Sequence, residues 1–270
     1  MPKPKTHLSS FLLLITTTIF SFFPAPSSPS PGASFVYGGC SEIKFENESP
    51  FESNLDSLLT SILNSATFSL YNNFTISSPE PHPTLYGLYQ CRGDISTADC
   101  AACVKDAVSQ LPHYCFHSCG GTLQLDACHV RYSNESFLGV PDTTLVLKKC
   151  GAGSGLSDTD MLSRRDELLS GLGSGNGGFR VGNIGYVSGM AQCVGDLSGE
   201  ECTDCLSNAV ERLRGGCGAG SWGDVYLSKC YVRYSAGGVY LSSSGSPERF
   251  WERWWVLGAV SFVVSLLKWP

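Results

Sequence analysis

The stretch QCRGDISTADC at residues 90–100 returns, 102 residues later, as QCVGDLSGEEC at 192–202. The same displacement superposes Cys91, Cys100, Cys103, Cys115 and Cys128 on Cys193, Cys202, Cys205, Cys217 and Cys230 without a gap. Five coincident cysteines mark an internal repeat, and CHVRYS at 128–133 against CYVRYS at 230–235 carries it into the flanking segments. Cys40 corresponds to Cys150 at a displacement of 110, because the first copy holds a loop eight residues longer. Two domains follow, 35–149 and 150–245, joined near LKKCGAGSG and each beginning just before its own first cysteine.

Composition sets the compartment. The 270 residues include 13 Cys but only 3 Met and 16% charged residues, a balance that points to an oxidising environment. Between residues 35 and 246 there are 22 Asp and Glu against 13 Lys and Arg, so no phosphate-seeking surface is available and nucleic-acid binding is excluded. Lys3 and Lys5 precede an apolar run from Leu8 to Phe23 and then a Pro/Ser/Gly/Ala stretch, the layout of a secretory signal peptide over residues 1–34.

At the other end, Trp254 to Leu267 reads WWVLGAVSFVVSLL, 14 uncharged residues followed by Lys268. At 1.5 Å per residue this run reaches ~21 Å of a ~30 Å hydrocarbon core. With Phe250 and Trp251 included, 250–267 is read as a single-pass transmembrane segment, N-terminal side outside and Trp residues at the interface. The alternative is a lipid-attachment signal, with small residues from Ser242 to Ser246, a spacer of nine from Pro247 to Trp255, and an apolar tail. The aromatic spacer argues for the span.

Each copy supplies six cysteines, and Cys119 is left over, its counterpart being Ser221. Six cysteines allow 15 pairings, and spacing alone does not choose among them. Cys100-x2-Cys103 and Cys202-x2-Cys205 have zinc-knuckle spacing, and the same pairs have the form of a redox motif, but an exported chain with a six-cysteine set per copy favours disulfides. Asn47, Asn73 and Asn134 head Asn-x-Ser/Thr triplets and are glycosylation candidates.

Ser96-x-x-Asp99 and Ser198-x-x-Glu201 read as capping boxes, which put Cys100, Cys103, Ala107 and Leu111 on one helix face and Cys202, Cys205, Ala209 and Leu213 on another. A longer helix precedes, where Phe51, Leu55, Leu58, Leu59, Ile62 and Leu63 follow helical periodicity, and its counterpart runs from about Met161 to Leu172. Leu123 to Asp126, Cys128 to Ser133 and Thr144 to Lys149 read as strands, echoed by Val225 to Lys229 and Tyr231 to Ser235. The expectation is an α+β chain of two tandem disulfide-stapled domains, each two helices packed on a small antiparallel sheet, with a C-terminal hydrophobic segment.

The doubled Cys-x8-Cys-x2-Cys spacing resembles the plant ginkbilobin-homologous, stress-antifungal cysteine-rich domain. Two such domains after a signal peptide, with a C-terminal hydrophobic segment and no kinase, are similar to the plasmodesmata-located proteins of the cysteine-rich repeat secretory family, over roughly residues 35–245. The resemblance implies the bridges Cys40–Cys115, Cys91–Cys100 and Cys103–Cys128, then Cys150–Cys217, Cys193–Cys202 and Cys205–Cys230. It leaves Cys119 as a free-thiol candidate, close enough to Cys115 to compete for Cys40. The mannose-binding member of this fold uses an Asn, an Arg and a Glu at positions that here hold Ser41, Thr122 and Ser133, and in the second copy Gly151, Asp224 and Ser235. All six depart, removing the planar cation and the carboxylate that would grip sugar hydroxyls.

No catalytic set repeats, since His82, His113, His117 and His129 all lie in the first copy. His113 and His117, interleaved with Cys115 and Cys119, read as a solvated helix end ahead of a metal site. GLGSGNGG at 171–178 follows a helix and is a turn, not a phosphate cradle. Arg131-Tyr132 and Arg233-Tyr234 are read as fixing a strand and its packing.

The expected protein is therefore non-enzymatic, with no cofactor and no metal. By resemblance it sits in the plasma membrane at plasmodesmata with its ectodomain in the apoplast, regulates cell-to-cell transport, and acts in callose deposition and defence. Its partners would be the membrane, cell-wall carbohydrate or membrane proteins, and viral movement proteins. The alternatives are a secreted apoplastic carbohydrate-binding antifungal protein and, more remotely, a redox sensor using Cys119.

Overall fold

The computed structural model describes residues 32–77, 83–152 and 159–237. The segments read as the apolar leader core and as the membrane span lie outside these residues. The first copy runs β1 (Phe35–Cys40), α1 (Pro50–Ser65), β2 (Tyr71–Ile76), β3 (Leu85–Cys91), α2 (Thr97–Tyr114), β4 (Gly120–Leu125) and β5 (Cys128–Ser133). The second repeats it as β6 (Leu145–Cys150), α3 (Thr159–Ser174), β7 (Phe179–Ile184), β8 (Val187–Cys193), α4 (Gly199–Cys217), β9 (Trp222–Leu227) and β10 (Cys230–Ala236). Each copy is a five-stranded antiparallel sheet with two helices on one face, in the order β1-β4-β5-β3-β2 and β6-β9-β10-β8-β7. The α+β expectation holds, but the sheets are larger than the short runs suggested.

Three boundaries differ from the sequence reading. Thr144 to Lys149 belongs to the second sheet, where β6 pairs with β9, because Cys40 and Cys150 close their strands and do not open their domains. Hydrogen bonding starts before residue 35: Ala127 N donates to Gly32 O and Asp126 N to Ser34 O. The earlier helix of the first copy is also the shorter one, 16 residues in α1 against 18 in α2.

The helices form where apolar periodicity meets a cap. Ser49 accepts from Glu52 N with Pro50 in the first turn, and Phe51, Leu55, Leu58, Leu59 and Ile62 are buried on the sheet side of α1. In α4, Ser198 Oγ accepts from Glu201 N while the Glu201 carboxylate accepts from Ser198 N, a complete capping box. In α2 only half of it exists. Asp99 is one methylene shorter, and its carboxylate accepts from Ser96 Oγ instead of reaching the backbone.

The predicted cysteine faces point into the cores: Cys100, Cys103, Ala107 and Leu111 are fully buried, and Cys202, Cys205, Ala209 and Leu213 nearly so. Cys40 is bonded to Cys115, Cys91 to Cys100 and Cys103 to Cys128, and the second copy repeats this with Cys150–Cys217, Cys193–Cys202 and Cys205–Cys230. All three bridges of a copy involve its second helix or the residue just after it, tying that segment to the outer strand, the strand before the helix and the central strand. For a domain of this size each bridge contributes about 2–5 kcal/mol, more for the longer loops.

Candidate functional site

Helices cover only one face of each sheet. On β3, Leu85, Tyr89 and Cys91 point into the helical core, whereas Leu88 packs against Phe137 and Val194, the latter from the second copy. The uncovered faces of the two sheets are turned toward each other, and the seam between them is largely polar. Gln192 Nε2 donates to Cys91 O at 2.9 Å and Gly195 N donates to Gln90 Oε1 at 2.9 Å, joining repeat-equivalent glutamines at one place. Tyr37 stands edge-on to Tyr226 with ring centroids 5.6 Å apart.

Two arginines cross the seam reciprocally. Arg233 Nη1 donates to Asp126 Oδ1 at 2.7 Å, and Arg131 Nη1 donates to Ser228 Oγ at 3.2 Å. Asp126 and Ser228 occupy equivalent repeat positions, so the contacts are related by an approximate twofold exchange of copies. Asp126 also accepts from Arg92 Nη1 at 3.1 Å. A third link buries Lys229, which donates to Phe137 O at 2.8 Å and pairs with Asp196, whose Oδ2 also accepts from Gly139 N at 2.9 Å. Both partners of that ion pair are almost fully buried, so the pair is costly to break from either side.

Arg131 and Arg233 are expected to fix a strand and its packing; Arg233 does pair with Asp224 on the neighbouring strand, and both guanidinium groups also reach across to the other copy. The adjacent tyrosines do the local work: Tyr132 Oη donates to Ser118 O at 2.9 Å and Tyr234 Oη to Gly220 O at 2.6 Å. A glycine makes room for each ring, since a Cβ on Gly121 would lie 2.6 Å from the Tyr132 ring and one on Gly223 2.8 Å from that of Tyr234.

At the first-copy end of the seam lies a pocket of about 310 Å³, within the range of small-ligand sites. It gathers Ser41, Thr122 and Ser133, the three positions singled out by the lectin comparison, beside Arg131 and His129, with Val146 and Ser228 reaching in from the second copy. Gly39, Gly120 and Gly121 leave bare backbone along one wall. Thr122 Oγ1 and His129 Nε2 are hydrogen-bonded at 2.8 Å. Burial, with the charges of Arg131 and Lys229, lowers the His129 pKa to about 3, so the ring is neutral and already engaged.

The equivalent corner of the second copy is filled. A Cβ on Gly151 would lie 2.5 Å from the Trp222 indole, and Asp224 accepts from Arg233 Nε at 3.1 Å. The mannose-type group set of Asn, Arg and Glu is absent from both corners; the first presents hydroxyls and a cation, the second an internal ion pair.

The remaining singled-out residues lie apart. His113 is in the last turn of α2, and His117, at φ +50, stacks on Phe116 at 3.8 Å. His82 falls outside the described residues. His113 and His117 line a separate pocket of about 230 Å³ between α1 and the end of α2, which Glu52 and Asp56 also line. Cys119 is a buried free cysteine whose N donates to Ile43 O at 2.8 Å. Burial pushes its thiol pKa up, the direction opposite to a reactive thiolate, although Lys44 pulls it partly back. Asn47 precedes α1 and Asn73 lies on β2, both exposed, while Asn134 follows β5 and is half-buried. Gly175 to Gly178 form the turn between α3 and β7. Among the described residues no helix is long and apolar enough to cross a membrane.

Sequence reasoning passed over Gln90, Arg92, Asp126, Asp196, Gln192, Tyr226 and Lys229. One signal was available: Gln90 and Gln192, like Arg131 and Arg233, are identical at the repeat displacement and alternate with core positions along their strands.

Comparison with known proteins places this geometry. Residues 39–135 and 150–237 each match the family described as salt stress response/antifungal. The chain is 52% identical to plasmodesmata-located protein 7 of Arabidopsis thaliana over 269 residues, covering 94% of this chain and 89% of the relative. It is 44% identical to plasmodesmata-located protein 5 of the same plant, covering 90% and 81%. The solved tandem ectodomain of the latter, described as a cysteine-rich receptor-like protein, superposes with a TM-score of 0.72 at 47% identity, covering 76% of this chain and all of that one. The corresponding ectodomain of plasmodesmata-located protein 8 gives 0.74 at 43%.

Proposed function

The chain belongs to the salt stress response/antifungal family, among the plasmodesmata-located proteins, and from that membership we propose that it is a membrane-anchored ectodomain regulating cell-to-cell transport at plasmodesmata. Callose deposition and defence are the processes it would serve, with the tandem domains in the apoplast and residues 250–267 as a single-pass anchor. The observation that carries this reading is the 52% identity to a plasmodesmata-located protein over nearly the whole chain, not the shared domain alone.

The chemistry of the site favours binding over catalysis. Its one histidine is buried, neutral and hydrogen-bonded to Thr122, so no general base faces the pocket with a nucleophile beside it. Asn47 and Asn73 are the more accessible glycan acceptors, Asn134 being half-buried with its N–H donating to Cys119 O. Wall carbohydrate, membrane proteins and viral movement proteins remain the proposed partner classes.

The test is a fluorescent tag inserted after the signal peptide and imaged in plant epidermis. Paired puncta across cell walls, with the protein resisting carbonate extraction and phosphatidylinositol-specific phospholipase, are expected. Release by the phospholipase would establish a lipid anchor, and recovery in the soluble apoplastic fraction would favour the secreted binder.

A further inference from the structure

We propose that the pocket at the first-copy end of the seam binds a hydroxylated carboxylate, a sugar acid, whose carboxylate takes beside Arg131 the place that Asp224 fills beside Arg233 in the second copy. The repeat itself supplies the comparison. Arg233 and Arg131 are equivalent residues facing cross-strand partners at the same register, Asp224 for one and Thr122 for the other. Arg233 forms ion pairs with Asp224 at 3.1 Å and with Asp126 at 2.7 Å. Both carboxylates are missing around Arg131, where Thr122 and Ser228 stand in their positions.

What remains on Arg131 is one hydrogen bond to Ser228 Oγ and the face of Phe137, 4.2 Å from the guanidinium carbon to the ring centroid. Among the described residues no carboxylate lies within ion-pair distance of it. Asp142, Asp196 and Glu135 act on it only at longer range. Asp196 is already paired with Lys229, and Asp142 accepts from Thr144 N at 2.9 Å. Burial lowers the Arg131 pKa, whereas at Arg233 the same burial is outweighed by Tyr226, Asp224 and Asp126 and the pKa is raised. A half-buried guanidinium without a counter-ion is costly unless a ligand supplies one, and its planar fork suits a carboxylate.

The rest of the wall selects the body of the ligand. Ser41, Thr122 and Ser133 offer hydroxyls, and the bare backbone at Gly39 and Gly120 lets a ring lie close. The inference rests on the pocket's geometry and is independent of cellular location, so its failure would leave the plasmodesmal reading untouched.

The test is calorimetric titration of the full chain, produced with its disulfides formed, using galacturonate and galactose, which differ in carboxylate against hydroxymethyl. Saturable binding of galacturonate is expected, with galactose and the Arg131→Gln variant weaker by about 10- to 100-fold, the effect of losing a charged hydrogen bond. A second variant guards against misfolding: Thr122→Asp recreates the second copy's internal pair, and should raise the melting temperature while abolishing binding. Absence of saturable galacturonate binding, equal affinity for the two sugars, or undiminished binding by folded Thr122→Asp would overturn the proposal.

Discussion

Asp126 holds two cations at once, accepting from Arg92 of its own copy and Arg233 of the other. Its side chain is about a third exposed while both arginines are largely buried, so removing it leaves two desolvated guanidinium groups with fewer partners. Asp126→Ala is expected to destabilise the protein by ~2–4 kcal/mol in chemical denaturation, and Asp126→Asn, which keeps one acceptor oxygen, by less. His129 gives a second prediction at this scale. Its folded-state pKa of about 3 lies below the ordinary value near 6.5, so the unfolded chain binds the extra proton first as pH falls. Stability attributable to His129 is therefore complete above about pH 6.5 and is lost progressively toward pH 3. His129→Gln should flatten the stability profile by ~1.4 kcal/mol per pH unit inside that window. An unchanged slope would mean that the ring is accessible to protons in the folded state.

At the scale of elements, the covalent and capping features and the strands β4, β5, β6, β9 and β10 were legible in the sequence, and β1, β2, β3, β7 and β8 were not. The cysteine spacing, the two Ser caps and the apolar stripes of α1 and α2 are local, so a short window contains them. β3 and β8 carry only a broken polar alternation, with Leu88 and Met190 interrupting it, because both of their faces are largely buried, one under helices and one at the seam. β1 escaped because its edge position and two glycines weaken the strand pattern. Two predictions belong here. Ser198→Ala should cost ~1 kcal/mol, while Asp99→Glu, which gives α2 a carboxylate long enough to reach Ser96 N, should stabilise by a few tenths. Chemical denaturation of each variant measures both. Of the bridges, Cys40–Cys115 closes a separation of 75 residues and Cys91–Cys100 one of 9. Loop-closure entropy assigns them about 4.5 and about 2.6 kcal/mol, so replacing the first pair by Ala should lower the unfolding midpoint further than replacing the second.

Across the whole molecule, the polar seam makes one ectodomain of two similar domains. Its residues were illegible because polar side chains on an uncovered sheet face read as solvent-facing until a partner sheet is known; only the repeat could reveal that the partner is the other copy. The candidate site was half legible. Ser41, Thr122 and Ser133 were found as positions that had changed, whereas Arg131 gained meaning only when Arg233 was seen beside Asp224. Under the proposed function, a unit of this kind would read its surroundings at the plasmodesmal channel and alter passage through it. The most direct test is the spread of a diffusible fluorescent protein between epidermal cells, with and without raised expression of the full chain. Reduced spread, accompanied by punctate protein at the walls, is the predicted result; undiminished spread with the protein correctly placed at those puncta would contradict it.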